Sequence, residues 1–298
     1  MRAMKWLTLV LSVLLVVPVA NGQCPQRSLH IAVIPKKSMD VILREYQPLL
    51  DRLSTALKMP VQIVPSSSYE SVVDAIVSGG VDMAWLGPAA YIMAYRRDPR
   101  IEPFASLTIR HGYFTPAGHH YQALLLAPRN LGENVNALRG KRVALSDPAS
   151  TSGSVIPDAE FSAQVGAPLS KFFGSVVYSG SHDKSLDALL ENRVDAAFIA
   201  SVRVDAYLNS GRIDRDTFRV LWRSDPIHYD PYVFSGSLCA PLKQRIRAAM
   251  LDNQQGLSGF LHSQDASGIV PVSHTQYEPL LRIMRPALPD PPTLRSTH

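Results

Sequence analysis

The sequence predicts an α/β protein with two lobes, each built on a doubly wound sheet. Short apolar, β-rich runs alternate with amphipathic helical stretches along most of the 298 residues, a pattern typical of sheets covered by helices on both faces. A turn–helix–Val-Asp unit at residues 69–86 recurs at residues 182–199, as expected for two lobes built on one plan. The chain is also longer than a usual single domain, so two domains are expected.

The first 22 residues (1–22) have the composition of a cleaved secretory signal peptide. A short basic start, residues 1–5, precedes an apolar run from Trp6 to Val17, which is shorter than the about 20 residues of a bilayer span. The small residues 20–22 suit a signal peptidase, so Gln23 is the expected new N-terminus, and a lipoprotein signal ending at Cys24 is the alternative. No later stretch predicts a membrane helix, so we expect a soluble, exported protein.

The first lobe is expected over residues 23–118. Its predicted elements, in order, are strand 29–35, helix 39–57 with a kink at Pro48, strand 61–65, helix 69–78 and strand 81–86. Ligands of doubly wound sheets bind beyond the carboxyl ends of the strands, which places Pro35, Tyr69 and the turn Trp85–Pro88 on one rim.

The second lobe is expected over residues 119–226, after which the chain returns to the first lobe over residues 227–285. Predicted strands of the second lobe lie at 121–126, 142–145, 175–178, 194–199 and 218–222, with helices at 155–165 and 184–192. Residues 240–284 are predicted to be helical, and the proline-rich residues 286–298 are predicted to form a disordered tail.

The stretch from Asp147 to Pro157 carries the clearest functional signal. A short strand ends there in Ser150, Thr151, Ser152 and Gly153, and a helix follows. The first N–H groups of a helix have no partner within it, and the helix dipole adds partial positive charge at that end. The hydroxyls add donors, and the glycine is expected to let the backbone approach a ligand closely. The stretch therefore predicts an anion cradle, with an ordinary Ser/Thr helix cap as the alternative.

Charge and cysteine content narrow the class of protein. The net charge is +5, but the basic residues are scattered without interleaved aromatics, which argues against nucleic-acid binding and is compatible with anionic ligands. The two cysteines, Cys24 and Cys239, would meet an oxidising compartment after export, which permits a structural disulfide. Their spacing alone does not establish that they pair.

Several motifs, taken in order, resemble one known family. The cradle is followed by the segments 180–186 (Gly-Ser-His-Asp-Lys-Ser-Leu) and 194–197 (Val-Asp-Ala-Ala), and in the first lobe Tyr69-Glu70 leads to the segment 80–87. This set resembles the phosphonate/phosphite/phosphate family of periplasmic binding proteins, which deliver ligands to ABC importers, over residues 29–284. The resemblance implies a two-lobed Venus-flytrap fold with two crossovers, a periplasmic location, an ABC permease as partner, and a monomer without cofactor.

The resemblance also implies where the ligand binds. By position in the motifs, the expected contacts are Tyr69, Tyr121, Ser150, Thr151, Ser152, His182 and Asp230, with Trp85, Gly87 and Val202 as further candidate pocket residues. Asp230 would accept the O–H of a monoprotonated oxyanion. Relatives that prefer aminoalkyl phosphonates resemble one another in a carboxylate at the position of Val202, so a small ligand is expected here: phosphite, methylphosphonate or phosphate.

Two alternatives stay open at this point. The same fold could present another oxyanion, such as arsenite or arsenate, to the ectodomain of a membrane sensor kinase. Alternatively, Ser150, His182 and Asp230 could form the triad of a hydrolase, but no Gly-x-Ser-x-Gly elbow surrounds these serines. The tandem pair His119-His120 lacks the spacing of a metal site. We therefore expect a binding protein with no catalytic residues and no metal.

Overall fold

The computed structural model describes residues 24–252 and 254–284, so the predicted signal peptide (1–22) and tail (286–298) lie outside the described residues. The strands are β1 (Leu29–Val33), β2 (Val61–Val64), β3 (Met83–Trp85), β4 (Glu102–Ile109), β5 (His120–Tyr121), β6 (Ala123–Pro128), β7 (Arg142–Leu145), β8 (Ser175–Tyr178), β9 (Ala196–Ala200), β10 (Phe218–Arg223), β11 (Ile227–His228), β12 (Pro231–Phe234) and β13 (Ala266–Pro271). The α-helices are α1 (Met39–Leu57), α2 (Tyr69–Val77), α3 (Pro88–Arg97), α4 (Ser162–Val165), α5 (Leu169–Phe172), α6 (His182–Leu190), α7 (Ser201–Asn209), α8 (Ala240–Arg247), α9 (Ser258–Ser263) and α10 (Glu278–Ile283).

Two mixed sheets form the two lobes. The first has the order β13-β4-β12-β3-β1-β2, and the second has the order β10-β6-β9-β7-β8. Each sheet contains a parallel part, β2-β1-β3 or β8-β7-β9, to which antiparallel strands are added. The short antiparallel pair β5 and β11 lies where the chain passes between the sheets. The lobe boundaries at residues 118 and 226 stay a prediction.

The two-lobed α/β fold is as predicted, and both of its sheets are mixed rather than wholly parallel. In the first lobe, β12 returns from the second lobe and inserts antiparallel between β3 and β4, and β13 adds antiparallel to β4. The prediction that residues 240–284 are wholly helical was wrong, because β13 lies within them. Helices α3 and α7 and strand β4 were not predicted. The helix after the cradle begins earlier than predicted: the π-helical turns Thr151–Val155 and Pro157–Phe161 precede α4.

Helices cover the sheets through apolar faces. In α1 the buried side chains are Ile42, Tyr46, Leu49, Leu50, Leu53 and Leu57, and the helix runs without interruption through Pro48. None of the helices in the described part of the chain combines the length and apolar character needed to cross a membrane.

A disulfide joins Cys24 to Cys239, with their Cα atoms 5.8 Å apart. Cys239 is also the N-cap residue of α8, so the bridge ties the start of the described chain to the start of that helix. The two cysteines are 215 positions apart in the sequence.

Candidate functional site

A small cavity lies between the two lobes and brings together most of the residues that the sequence singled out. All seven expected ligand contacts and Gly87 line it, together with three residues that sequence reasoning did not name: Ile34, Lys36 and Ala200. Trp85 and Val202 line a wider neighbouring cavity of ≈ 580 Å³ instead. Lys36 lines both cavities.

The carboxyl ends of strands and the first residues of helices converge on this cavity. The cradle follows β7, Ala200 ends β9, and Tyr69 and His182 are the first residues of α2 and α6. This arrangement agrees with the rule that doubly wound sheets bind ligands beyond the ends of their strands. It brings the first residues of α2 and α6 together with the cradle at one cavity.

Within the cradle, Ser150 is the N-cap residue, and its hydroxyl accepts the N–H of Gly153 at 3.2 Å. A glycine is needed at position 153 for a different reason from the expected one. A Cβ at this position would lie 2.2 Å from Ser146 Oγ and 2.9 Å from Ser150 Oγ. The glycine therefore makes room for these two serines rather than for a ligand.

The cradle also bonds directly to the first lobe. The N–H of Ala89, in the first turn of α3, donates to Thr151 Oγ1 at 2.8 Å, and the N–H of Tyr69 donates to Asp147 Oδ2 at 3.4 Å. Because Thr151 accepts from Ala89, its own O–H stays free to donate elsewhere. A Cβ on Gly87 would lie 3.3 Å from the same Thr151 oxygen, so the lobes approach closely here.

The hydrogen bonds of His182 define its tautomer. The backbone N–H of Ala200 can only donate, and it points to Nδ1 at 3.3 Å, while Ser146 Oγ lies 2.8 Å from the same nitrogen. Nδ1 is therefore an acceptor, and a neutral imidazole must carry its hydrogen on Nε2. Nε2 lies 3.3 Å from Ser150 Oγ and 3.4 Å from Ser152 Oγ, so its N–H is directed at the cradle.

Burial, followed by the positive charges of Lys36 and Arg203, lowers the pKa of His182 well below its usual value. The folded protein keeps this imidazole neutral, whereas the unfolded chain binds a proton at about pH 6.5. The His182 contribution to stability is thus fully present above that pH and declines as the pH falls below it.

We expect the free energy of unfolding, measured by urea titration without ligand, to drop from about pH 7.5 to about pH 5.5. His182→Gln should have a shallower drop, and an equal drop in both proteins would contradict this role.

Lys36 is the residue that sequence reasoning missed. It follows β1, and its ammonium contacts Asp230 Oδ2 and lies 4.2 Å from the ring centroid of Trp85. Burial raises the pKa of Asp230 and lowers that of Lys36, each opposed by the charge of the other. The only hint in the sequence was a lysine directly after the proline that follows a strand at the ligand rim.

Three buried polar atoms at or beside the cavity make no hydrogen bond of normal length within the described residues, although Ser150 lies near Tyr69 and Tyr121 lies near Asp230. They are Asp230 Oδ1, Tyr69 Oη and Trp85 Nε1. Buried polar groups are normally paired, so each such atom calls for an explanation. An oxyanion in the cavity can accept from a phenol, and a protonated oxygen can donate to a carboxylate. Unpaired hydrogen-bonding atoms of this kind are expected where a ligand binds.

Two ion pairs lie in the wall of the wider cavity. Lys37 contacts Glu45, and Arg203 bonds both oxygens of Asp183, at 2.8 and 3.1 Å. Asp205, close to Val202 in sequence, accepts the N–H of Phe114 at 2.8 Å, and its carboxylate packs against Gly112, where a Cβ would come within 2.3 Å. Asp205 therefore holds the 112–115 turn.

The triad of the hydrolase alternative is not assembled. Nδ1 of His182 is occupied by Ser146 and the Ala200 N–H, and Asp230 contacts Lys36 instead. A base that carries its hydrogen on the nitrogen facing Ser150 cannot take the serine proton. Among residues 24–252 and 254–284, no group of three or more His, Cys, Asp or Glu side chains could hold a metal ion.

Comparison with known proteins agrees with this geometry. The model of the family described as "ABC transporter, phosphonate, periplasmic substrate-binding protein" matches residues 31–277. The phosphate-import protein PhnD of Mycolicibacterium smegmatis is 26% identical over 276 residues, which cover 84% of this chain and 83% of that protein.

Two solved structures have the same fold. A binding protein component of an ABC phosphonate transporter from Pseudomonas aeruginosa superposes with a TM-score of 0.77 at 20% identity, covering 87% of this chain and 85% of that one. PhnD1 from Prochlorococcus marinus, solved in complex with methylphosphonate, gives a TM-score of 0.73 at 19% identity, covering 86% of this chain and 97% of that one.

Two mixed α/β lobes with a small cavity between them are the fold of the two-lobed periplasmic binding proteins. Within that class, the chain belongs to the family of substrate-binding proteins of phosphonate ABC transporters. It is a binding component and not an enzyme, and its membrane partner is the permease of an ABC transporter.

Proposed function

We propose that this protein captures a small phosphorus oxyanion between its lobes and delivers it to an ABC importer. The candidates are phosphite, methylphosphonate and phosphate. The observation that carries the proposal is the small cavity lined by Tyr69, Tyr121, Ser150, Thr151, Ser152, His182 and Asp230. Most of these side chains can donate a hydrogen bond, as a phosphoryl group requires.

The donors in the cavity have fixed directions. His182 presents Nε2–H, and Thr151 has an O–H free while its oxygen is held by Ala89. Tyr69 Oη is buried and has no partner in the described structure. Donors that are already in place lose little freedom when the ligand binds, which favours affinity.

The surroundings of Val202 support a ligand without an aminoethyl arm. Val202 offers no polar atom to an ammonium, and the guanidinium of the neighbouring Arg203 is buried and positive. In this wider cavity Glu45 and Asp183 are already paired with Lys37 and Arg203, so neither carboxylate is free to compensate an ammonium for its lost hydration.

A thermal-shift screen tests the proposed function. At about 100 times the dissociation constant, a ligand of the folded state stabilises the protein by about 2.7 kcal/mol. We expect such stabilisation by at least one of phosphite, methylphosphonate and phosphate, and weaker stabilisation by aminoethylphosphonate at equal concentration. Arsenite, arsenate and sulfate complete the panel. Tighter binding of aminoethylphosphonate than of all three small ligands would contradict the interpretation of Val202, and no binding of any phosphorus oxyanion would contradict the proposed function.

A further inference from the structure

A groove of ≈ 620 Å³ lies beside the outer strand of the second sheet, where the described chain ends. Its walls come from β8, from the π-helical turns after the cradle, from the start of α5 and from the end of α10. It shares no lining residue with the small cavity or with the wider cavity between the lobes. The proposed ligand site therefore gives no account of this groove.

Large apolar side chains are exposed in the groove. Five large hydrophobic side chains are exposed within the described residues, and two of them, Tyr178 and Ile283, line it. Tyr178 lies on β8, which pairs with β7 and has its other edge open in the described part of the chain. Proteins usually cover an exposed apolar surface beside an open strand edge, so an occupant is expected.

The chain itself leads into the groove. Met284, the last described residue, lines it, and the carbonyl oxygen of Met284 accepts a hydrogen bond from Arg96 at 2.8 Å. Arg96 belongs to α3 of the first lobe, so the starting point of the remaining chain is held against that lobe. Residues 285–298 follow, and in a polyproline II conformation they would span about 40 Å, enough to run the length of the groove.

The sequence of this tail (residues 285–298) repeats with a period of three. One row is Pro286, Pro289 and Pro292, a second is Leu288, Pro291 and Leu294, and the third, mostly polar, is Ala287, Asp290, Thr293 and Ser296. A polyproline II helix has three residues per turn, so each row would lie along one edge of it. Proline-rich segments of this kind bind in grooves that present aromatic side chains, as Tyr178 does here. Because prolines have no N–H, the tail is poorly suited to extend the sheet as a further strand.

We propose that residues 285–298 bind in this groove, with the row of Leu288, Pro291 and Leu294 packed against the apolar wall around Tyr178. The charges are compatible, because Asp158 lines the groove and Arg285 directly follows Met284. The tail starts on the first lobe, and the rest of the groove belongs to the second lobe. A bound tail therefore joins the two lobes in addition to the two crossovers. This inference goes beyond the proposed function and does not depend on the identity of the ligand.

Nitration of tyrosines by tetranitromethane, followed by mass spectrometry, provides the first test on the full-length mature protein. Tyr178 and Tyr113 are 53% and 55% exposed in the described structure, and Tyr113 lies outside the groove, so it serves as the internal reference. Tyr178 should react at least about threefold more slowly in the unaltered protein than in Leu288→Asp/Leu294→Asp, as expected if the tail is bound at least about two-thirds of the time. The rate at Tyr113 should be the same in both proteins.

Thr293→Asp/Ser296→Asp is the matched control. It adds the same two negative charges to the tail, but on the polar row, and it leaves both leucines in place. Tyr178 should therefore stay as protected as in the unaltered protein. Neither double variant changes a residue of the described structure, so a difference between them reports on the tail and not on a folding defect.

A fluorescent peptide of residues 285–298 provides the second test. It should bind Leu288→Asp/Leu294→Asp, whose groove is free, and bind the unaltered protein more weakly, because the protein's own tail competes at a high effective concentration. Adding Tyr178→Ser to the leucine variant should weaken peptide binding by at least about fivefold, as for loss of an aromatic contact in an interface. Adding Tyr113→Ser instead should leave peptide binding unchanged.

Three outcomes would overturn the inference. The first is that Tyr178 is nitrated at the same rate in the unaltered protein and in the leucine variant. The second is that the protection of Tyr178 disappears when the unaltered protein is diluted, which would assign the groove to a second copy of the chain. The third is that the peptide does not bind the leucine variant, or binds it equally well with Tyr178→Ser.

Discussion

Thr151→Ala is expected to weaken ligand binding by about ten- to hundredfold, because hydrogen bonds to charged groups contribute about 1.5–3 kcal/mol. Thr151 Oγ1 lines the cavity and accepts the N–H of Ala89 across the two lobes. Its loss removes a donor to the anion and leaves a buried N–H without its partner. Calorimetric titration with the oxyanion that gives the largest thermal shift measures the effect.

Thr151→Ser is the matched control, since it keeps the hydroxyl and removes only the methyl group. We expect it to bind within about threefold of the unaltered protein, the range of a well-tolerated small change. Small-angle scattering should show compaction on ligand binding in the Ser variant. If Thr151→Ala and Ser152→Ala both bind as the unaltered protein does, the segment is only a helix cap.

The cradle could be predicted from the sequence because its chemistry is local. Ser150, Thr151, Ser152 and Gly153 are consecutive, and a strand end followed by small hydroxyl residues is visible without knowledge of any distant contact. His182 and Asp230 needed the family resemblance, since a Ser-His turn and an Asp-Pro turn are common. The structure brings His182, Asp230 and the three hydroxyl residues of the cradle to one cavity, and their role as ligand contacts stays a prediction.

Lys36 could not be found in this way. Its partner Asp230 lies 194 positions away, and the two meet only because β12 returns from the second lobe and inserts beside β3. Strand β13 was also missed because its pairing is long-range. β13 contains Gly268 and ends in Pro271, so it lacks strong local strand character and is held by pairing with β4.

The role of Gly153 could not be predicted from the sequence either. A glycine after a run of hydroxyl residues can allow a ligand to approach closely, or it can make room for neighbouring protein side chains. The position of Ser146 is needed to decide between these two roles. Ser146 in turn matters because it orients His182 through Nδ1. The residues behind the cradle thus determine which nitrogen of the imidazole faces the ligand.

Removal of the disulfide should have the largest effect on stability. The bridge between Cys24 and Cys239 spans 215 positions, and a cross-link over such a long loop reduces the conformational freedom of the unfolded chain. Loss of a native disulfide typically costs about 2–5 kcal/mol. We expect Cys24→Ala/Cys239→Ala to unfold at a lower urea concentration, by an amount within that range.

Two comparisons make this prediction specific to the bridge. A reducing agent should lower the unfolding midpoint of the unaltered protein toward that of the double variant, and should leave the double variant itself unchanged. Ligand affinity should be retained in the double variant, because neither cysteine lines the cavity that contains Thr151. Thr151→Ala and the double cysteine variant should therefore differ: ligand binding is weakened in the first, whereas binding is retained and stability is lowered in the second. An unfolding midpoint equal to that of the unaltered oxidised protein would show that the bridge contributes nothing to stability.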